Sequence, residues 1–224
     1  HMIASSTSLQ IIAVLSGDLI HSSRLSADDI RQTRAILTET VSSHAASLIG
    51  EIEFFSGDSW QLALKAPEQS LRLALILQAR LKANGKAGTR ISLSIGAADD
   101  IQPQKISLST GEAFTLSGRG LAAMSSQFDL DLTLADQTQD TASLARALVR
   151  MTSAFANDWT ARQAEIISLA ITWPDDTHEQ LGQRLTPPVR KQTITNALKG
   201  ANWRAVSEAL SAFENTDWSQ LCQR

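Results

Sequence analysis

The sequence predicts an α+β fold in two unequal parts, a βαββαβ-type sandwich followed by an all-helical segment. Three observations carry that reading. Short apolar runs of strand length alternate with helical patterns over about the first 135 residues. Beyond residue 141 the strand signals stop and only helical periodicity remains. Of the 224 residues, 43% are hydrophobic, enough to build a core, which excludes wholesale disorder.

Residues 11–15, Ile-Ile-Ala-Val-Leu, form a β-rich apolar run ending in Ser16-Gly17-Asp18 and read as a buried strand. Ser26 reads as a helix N-cap, with Asp28 and Asp29 in the first turn. That helix runs through Ile30, Ile36, Leu37 and Val41 towards Leu48, with Gly50 as its stop. Residues 51–55 and 59–64 read as two strands of a hairpin with Gly57-Asp58 at its tip. Pro67 opens a second helix, in which Leu71, Leu73, Ala74, Leu75, Ile76, Leu77 and Leu81 widen the apolar stripe until the helix must be well buried. Asn84-Gly85 ends it. Residues 90–97 alternate as a strand, with Ile91, Leu93 and Ile95 on one face. A third helix follows over 112–124, and residues 128–134 read as a half-exposed strand. The expected boundaries are a tail at 1–9, in which His1-Met2 reads as a tag remnant, a sandwich at 10–140, a helical connector at 141–157 and a helical domain at 158–224.

Composition narrows the function classes. The formal net charge is −3, which excludes a globally basic nucleic-acid coat. No apolar run approaches the roughly 20 residues that cross a bilayer, and no secretory signal pattern is present, so a soluble cytoplasmic protein without a membrane partner is expected. Cys222 is the only cysteine, so no disulfide framework or cysteine zinc site is available. With four histidines, one of them at position 1, no histidine metal motif is present either.

Asp18 and Asp58 each follow a glycine, one after the first strand and one at the hairpin tip. If those strands are neighbours, the two carboxylates converge at one end of the sheet, and such a pair suits Mg²⁺. Aspartate is also favoured in turns for backbone reasons alone.

The order of these elements resembles the catalytic domain of class III nucleotidyl cyclases. Val14-Leu15-Ser16-Gly17-Asp18-Leu19-Ile20-His21-Ser22-Ser23 resembles the family's apolar strand leading into Asp-Ile-x-Gly-Phe-Thr. Phe55-Ser56-Gly57-Asp58-Ser59-Trp60 resembles its Ile-Gly-Asp-x-Phe hairpin. Arg90-Ile91-Ser92-Leu93-Ser94-Ile95-Gly96 is similar to Arg-x-Gly-Ile-x-x-Gly, and residues 111–119 are similar to Gly-x-x-Val-Asn-x-Ala-x-Arg. The spelling Gly57-Asp58-Ser59-Trp60-Gln61 with Ser117-Gly118-Arg119-Gly120-Leu121 looks closer to the small bacterial SatD-like relatives than to the established enzymes. The resemblance spans residues 10 to about 134 and implies a ferredoxin-like, cyclase-type sandwich.

It also implies roles. Asp18 and Asp58 fall on the two metal-binding aspartates, for Mg²⁺ or Mn²⁺, and Arg119 on the arginine that stabilises charge on the transferring phosphate. Phe54, Gly57 and Arg119 become the nucleotide-binding candidates. Two positions depart from the pattern. Thr115 replaces the ribose-orienting asparagine and loses its longer amide reach. Phe54 replaces the base-reading lysine or glutamate, so it can stack on a base or exclude it but cannot read its edge. The family's dimeric site would set Asp18 and Asp58 against Thr115 and Arg119 of the partner subunit.

In the helical part, residues 159–171 are amphipathic and Thr177 N-caps a short helix over 178–185. Thr186-Pro187-Pro188 makes a tight turn, and helices follow over 189–199 and 203–213. Short helix, tight turn and second helix make a helix-turn-helix arrangement, and the segment resembles bacterial regulator domains of that kind. From 180 to 207 there is no acidic residue, while Arg184, Arg190, Lys191, Lys199 and Arg204 all lie there. With Gln192, Thr193, Thr195 and Asn196 they offer the chemistry for phosphates and base edges of double-stranded DNA. A helical dimerisation bundle with a solvated basic face would show the same charges. Trp159, Trp173, Trp203 and Phe213 read as packing anchors rather than base stackers.

The leading expectation is therefore a homodimeric DNA-binding transcriptional regulator whose cyclase-like domain no longer works as an enzyme and admits a nucleotide ligand. The alternative is an active Mg²⁺-dependent nucleotidyl cyclase of unusual base specificity, with Thr115 and Arg119 as its catalytic residues. A scaffold that uses neither site is the third.

Overall fold

The computed structural model describes residues 10–55, 57–85, 87–136 and 138–222. The tail over 1–9 and Ser56 of the hairpin motif lie outside the described residues. Along the chain the elements are β1 (Gln10–Leu19), α1 (Ala27–Ser42), β2 (Leu48–Phe55), β3 (Ser59–Leu64), α2 (Ser70–Asn84), β4 (Thr89–Ala98), α3 (Glu112–Ala123) and β5 (Leu130–Thr133). Helices α4 (Asp140–Asp158), α5 (Ala161–Thr172), α6 (His178–Arg184), α7 (Lys191–Gly200), α8 (Trp203–Glu214) and α9 (Trp218–Cys222) complete it.

The sheet order is β2-β3-β1-β4-β5. The first four strands are antiparallel, and β5 joins β4 in parallel. The antiparallel order 2-3-1-4 is the ferredoxin-like βαββαβ arrangement, extended by one strand.

Strand alternation divides the sheet into two faces. Ala13, Leu15 and Leu19 of β1 join Trp60, Leu62, Leu93 and Ile95 in the larger core, which α1 and α2 cover. Ile12 and Val14 point the other way, into a smaller core with Ala113 and Phe114 of α3. Gly17 is where the larger core comes closest to the backbone, because an added Cβ would stand 2.4 Å from the Trp60 ring. Trp60 is fully buried, and its indole N–H donates to Thr89 Oγ1 at 3.0 Å.

The broad apolar stripe of α2 has a structural cause. The sheet lies on one side of this helix, while α1, α4, α5 and α8 pack on its others. The core therefore runs without a break from Leu15 through Leu75 to Ile167 and Val206. Arg72 pins the same seam, donating to Glu214 Oε1 at 2.6 Å and to the Ile171 carbonyl at 3.1 Å.

Several boundaries differ from the sequence reading. β1 extends to Leu19, which places Gly17 and Asp18 inside the strand rather than in a turn after it. Helix α1 ends at Ser42, and Gly50 lies within β2 at φ 70, beside an irregularity in the β2–β3 ladder. Residues 128–134 were expected to be half-exposed, yet Leu130, Asp131 and Leu132 of β5 are all buried, Asp131 beneath Arg146 and Arg150 of α4. Of the tryptophans expected to anchor packing, Trp159 is buried, while Trp173 is 44% exposed and packs against the Arg184 guanidinium. Among the described residues, 140–222 contain helices and no strand. No helix among them is long and apolar enough to cross a membrane.

Candidate functional site

The first candidate site lies at the end of the sheet where β1 finishes. In the β1–β3 ladder Asp18 stands opposite Ser59, and the Leu19 N–H donates to the Asp58 carbonyl at 3.1 Å. Asp18 and Asp58 are thus neighbours at one end of the sheet. Residues two apart in a strand share a face, so Asp18 faces the same side as Ser16, which accepts from the Ser117 hydroxyl of α3 at 2.7 Å.

Both carboxylates already have partners. Arg90, opposite Asp18 in the β1–β4 ladder, donates from Nε to Oδ1 at 2.9 Å and from Nη2 to Oδ2 at 2.5 Å. The hydrogen bonds to Asp18 raise the Arg90 pKa above its ordinary value despite partial burial, so the guanidinium stays charged. Asp58 Oδ2 accepts from the Ser22 hydroxyl at 2.5 Å.

A divalent ion shared by these two aspartates would have to displace a bidentate guanidinium and a hydroxyl. As arranged, the donor set does not fit Mg²⁺ or Mn²⁺. Among the described residues no group of three or more His, Cys, Asp or Glu side chains is placed to hold a metal ion.

The remaining cyclase-type candidates are not gathered around this pair. Phe54 pairs with Trp60 across β2–β3, which puts it on the sheet face opposite Asp18. There the Arg34 guanidinium from α1 lies 5.1 Å from its ring centroid, and Arg34 Nη2 also donates to the Gly57 carbonyl. Glu53, on the Asp18 face, accepts from the Ser107 N–H at 2.9 Å and its hydroxyl at 2.7 Å. Those bonds hold the Glu53 carboxyl below the usual glutamate range.

Thr115 and Arg119 lie one turn apart on the exposed side of α3. The Thr115 hydroxyl returns to the Gly111 carbonyl at 3.2 Å. Arg119 has no ion-pair partner among the described residues.

The second candidate site is the α6–α7 region. Thr177 caps α6 by accepting from the Gln180 N–H at 3.2 Å, while Gln180 Oε1 accepts from the Thr177 N–H at 2.8 Å. Six residues, 185–190, then lead into α7, with Arg190 as its N-cap. Ile194 and Leu198 face inward, while Lys191, Gln192, Thr193, Asn196 and Lys199 are exposed with Arg190. Gln192 Nε2 donates to Asn196 Oδ1 at 2.9 Å, aligning two amides along the outer face.

Two other candidates of this group already have partners in the chain. Arg184 donates to Asp176 Oδ2 at 2.6 Å and stacks 3.7 Å from the Trp173 ring centroid. Thr195 is half-buried, its hydroxyl bonded to His178 Nδ1 at 2.9 Å and to the Lys191 carbonyl at 3.0 Å.

In the sequence, Arg90 and Ser22 stand out only as members of longer motifs, and nothing marks Arg34. Alternation could have found Arg90. Once β4 is set antiparallel beside β1, its second residue falls opposite Asp18.

No protein-family model matches the chain, and no curated protein matches it by sequence. Among the solved structures similar to it, three cover 55% of this chain. Two are bacterial light-regulated adenylyl cyclases, at 15% identity, 76% of that chain and a TM-score of 0.42, and at 17%, 43% and 0.41. The third is a guanylyl cyclase, at 15% identity, 74% of that chain and a TM-score of 0.39.

Proposed function

We propose that this chain is a DNA-binding regulator that reads duplex DNA with α7. Its sandwich is a cyclase-type domain that dimerises and does not turn over nucleotide. The supporting observation is the outer face of α7, where Arg190, Lys191, Gln192, Thr193, Asn196 and Lys199 are exposed within a stretch, 180–207, that has no acidic residue. Lysine and arginine neutralise phosphates, and the side-chain amides of glutamine and asparagine match the donor–acceptor pattern of adenine in the major groove. A two-fold dimer would present two such helices one helical turn of DNA apart.

The experiment is a fluorescence-anisotropy titration of labelled promoter duplexes at low salt. Wild-type protein should bind, and Arg190→Ala/Lys191→Ala should weaken binding about tenfold by removing two phosphate contacts. No binding at low salt would overturn the reading.

The exposed Thr115 and Arg119 favour a second reading, a Mg²⁺-dependent nucleotidyl cyclase whose site forms between two protomers. The Asp18–Arg90 pair opposes it. Cyclic nucleotide formed from any of the four nucleoside triphosphates with Mn²⁺, and abolished by Asp58→Asn, would reverse the ranking.

A further inference from the structure

Helix α4 is apolar on two sides. Its inner side is committed to the fold. Ala142, Val149 and Ala156 are buried, and Arg146 and Arg150 turn onto Asp131. The Ser153 hydroxyl accepts from the Leu130 N–H at 3.1 Å, on the free edge of β5, the last strand of the sheet. α4 therefore closes that edge and forms a rim of the molecule.

The outer side carries Leu144, Leu148, Met151 and Phe155. Leu144 and Met151 are 71% and 63% exposed, the most exposed large apolar side chains among the described residues. Leu148 and Phe155 are half-buried beside them, and Ala147 and Ala154 lie exposed along one flank. Between Asp140 and Asp158 the only charged residues of α4 are Arg146 and Arg150, both already paired with Asp131.

A surface helix ordinarily turns charge to solvent, and one that is apolar all round belongs inside a larger structure. Steps of four, three and four residues from Leu144 to Phe155 are the spacing of the seam between two packed helices. A charged peptide would find no counter-charge on this face. Its complement is another uncharged helical stripe.

A second copy of the chain supplies that stripe. The four large side chains are centred beside Val149, the middle residue of α4, so an antiparallel copy meets them along the whole helix. In that order Leu144 meets the partner's Phe155 and Leu148 meets the partner's Met151. Ala147 meets the partner's Ala154, which lets the two backbones approach closely. Antiparallel helices also set their dipoles head to tail.

The geometry points to a two-fold homodimer in which α4 packs on α4 of a second copy, on a surface separate from the Thr115–Arg119 side of α3. With 19 residues α4 is about 28 Å long, and a seam about 10 Å wide covers about 280 Å² of each protomer. Stable complexes bury about 800 Å² per partner, so this dimer is reversible, with a Kd on the order of 10 μM. The inference deepens the DNA-binding reading, which needs two copies of α7 and does not say what joins them.

Sedimentation velocity of the full chain, over a concentration range that brackets about 10 μM, tests it. Wild type should pass from monomer to dimer. Leu144→Glu/Met151→Glu should weaken the dimer tenfold or more at an unchanged melting temperature, because both side chains are exposed. Ala147→Arg/Ala154→Arg should do the same from the flank, and Arg119→Glu on α3 should leave the dimer as it is. A wild-type chain that stays monomeric throughout overturns the inference. So does a dimer that resists both α4 variants, or one that Arg119→Glu dissociates. A dimer that binds no duplex removes the DNA-binding reading and leaves this interface standing, whereas duplex binding by a strict monomer does the reverse.

Discussion

Arg90 grips both carboxylate oxygens of Asp18 across the β1–β4 ladder, with its Nη2 2.5 Å from Oδ2. A planar, permanently charged guanidinium matches a carboxylate in two parallel hydrogen bonds. The pair places a protein cation where the cyclase resemblance puts a metal.

Removing that cation should therefore create metal affinity. In a Mn²⁺ titration followed by electron paramagnetic resonance, wild-type protein is expected to leave the ion free, whereas Arg90→Met should bind it through Asp18 and Asp58. Because the two side chains are 33% and 22% exposed, the same variant should lose only about 1 kcal/mol of stability. Tight Mn²⁺ binding by the wild-type chain would contradict this account of the site.

Asp131 gives a pH prediction. Burial raises the pKa of its carboxyl, but the hydrogen bonds and charges of Arg146 and Arg150 outweigh burial and hold it below the usual aspartate range. A depressed folded-state pKa contributes stability above the unfolded value, about 3.9, and loses it as pH falls through the folded value. Asp131→Asn should cost about 3 kcal/mol at pH 7, because it leaves two partly buried arginines without their counter-charge. Urea unfolding of wild type and variant from pH 7 downwards should show the gap closing only below about pH 4.

Cys222 should be a poor nucleophile in the folded chain. Burial, with the nearby charge of Glu112, pushes its thiol pKa up to about 11. The thiolate is the reactive form, so alkylation by iodoacetamide at pH 8 should be slow in buffer and fast in denaturant. Equal rates in the two conditions would show that α9 is not docked against Ile95, where the thiol meets a backbone carbonyl at 3.7 Å.

Gly17 is required by the Trp60 ring rather than by the turn that the sequence implied. An alanine methyl would sit 2.4 Å from that ring, well inside van der Waals contact. Gly17→Ala should therefore destabilise the chain by about 2 kcal/mol or more, the range for overpacking a filled core. Thermal melts followed by tryptophan fluorescence report it directly.

Much of the local structure was legible in the sequence because its causes are local. Ser26 and Thr177 mark helix starts through capping boxes closed within three residues, with Asp29 and with Gln180. The broad stripe of α2 announced burial on several sides, although not that α5 would supply one of them. The misread features depend on distant partners. Asp18 meets Arg90 across 72 residues, and Asp131 is covered by arginines 15 and 19 residues further on. An alternating pattern of apolar and acidic residues looks half-exposed until a later helix arrives to neutralise the acid. Phe54 fell on the far face from Asp18 because a one-residue step in a strand reverses the side chain, and spacing to the hairpin glycine does not report which face results.

Arg184 separates contact from context within the proposed DNA-binding region. Its guanidinium is already engaged by Asp176 and stacked on Trp173. Arg184→Ala should therefore weaken duplex binding less than Lys191→Ala in side-by-side anisotropy titrations, while changing Trp173 fluorescence. A larger loss in Arg184→Ala would place the interface on α6 instead.

The most direct test of the DNA-binding claim is the salt dependence of duplex affinity. Each neutralised phosphate contributes about −0.9 to the slope of log K against log salt. Lys191→Ala/Lys199→Ala should flatten the wild-type slope by about two. A slope unchanged by the double substitution, or no measurable duplex binding by the wild-type protein at low salt, would contradict the claim that α7 carries this protein to DNA.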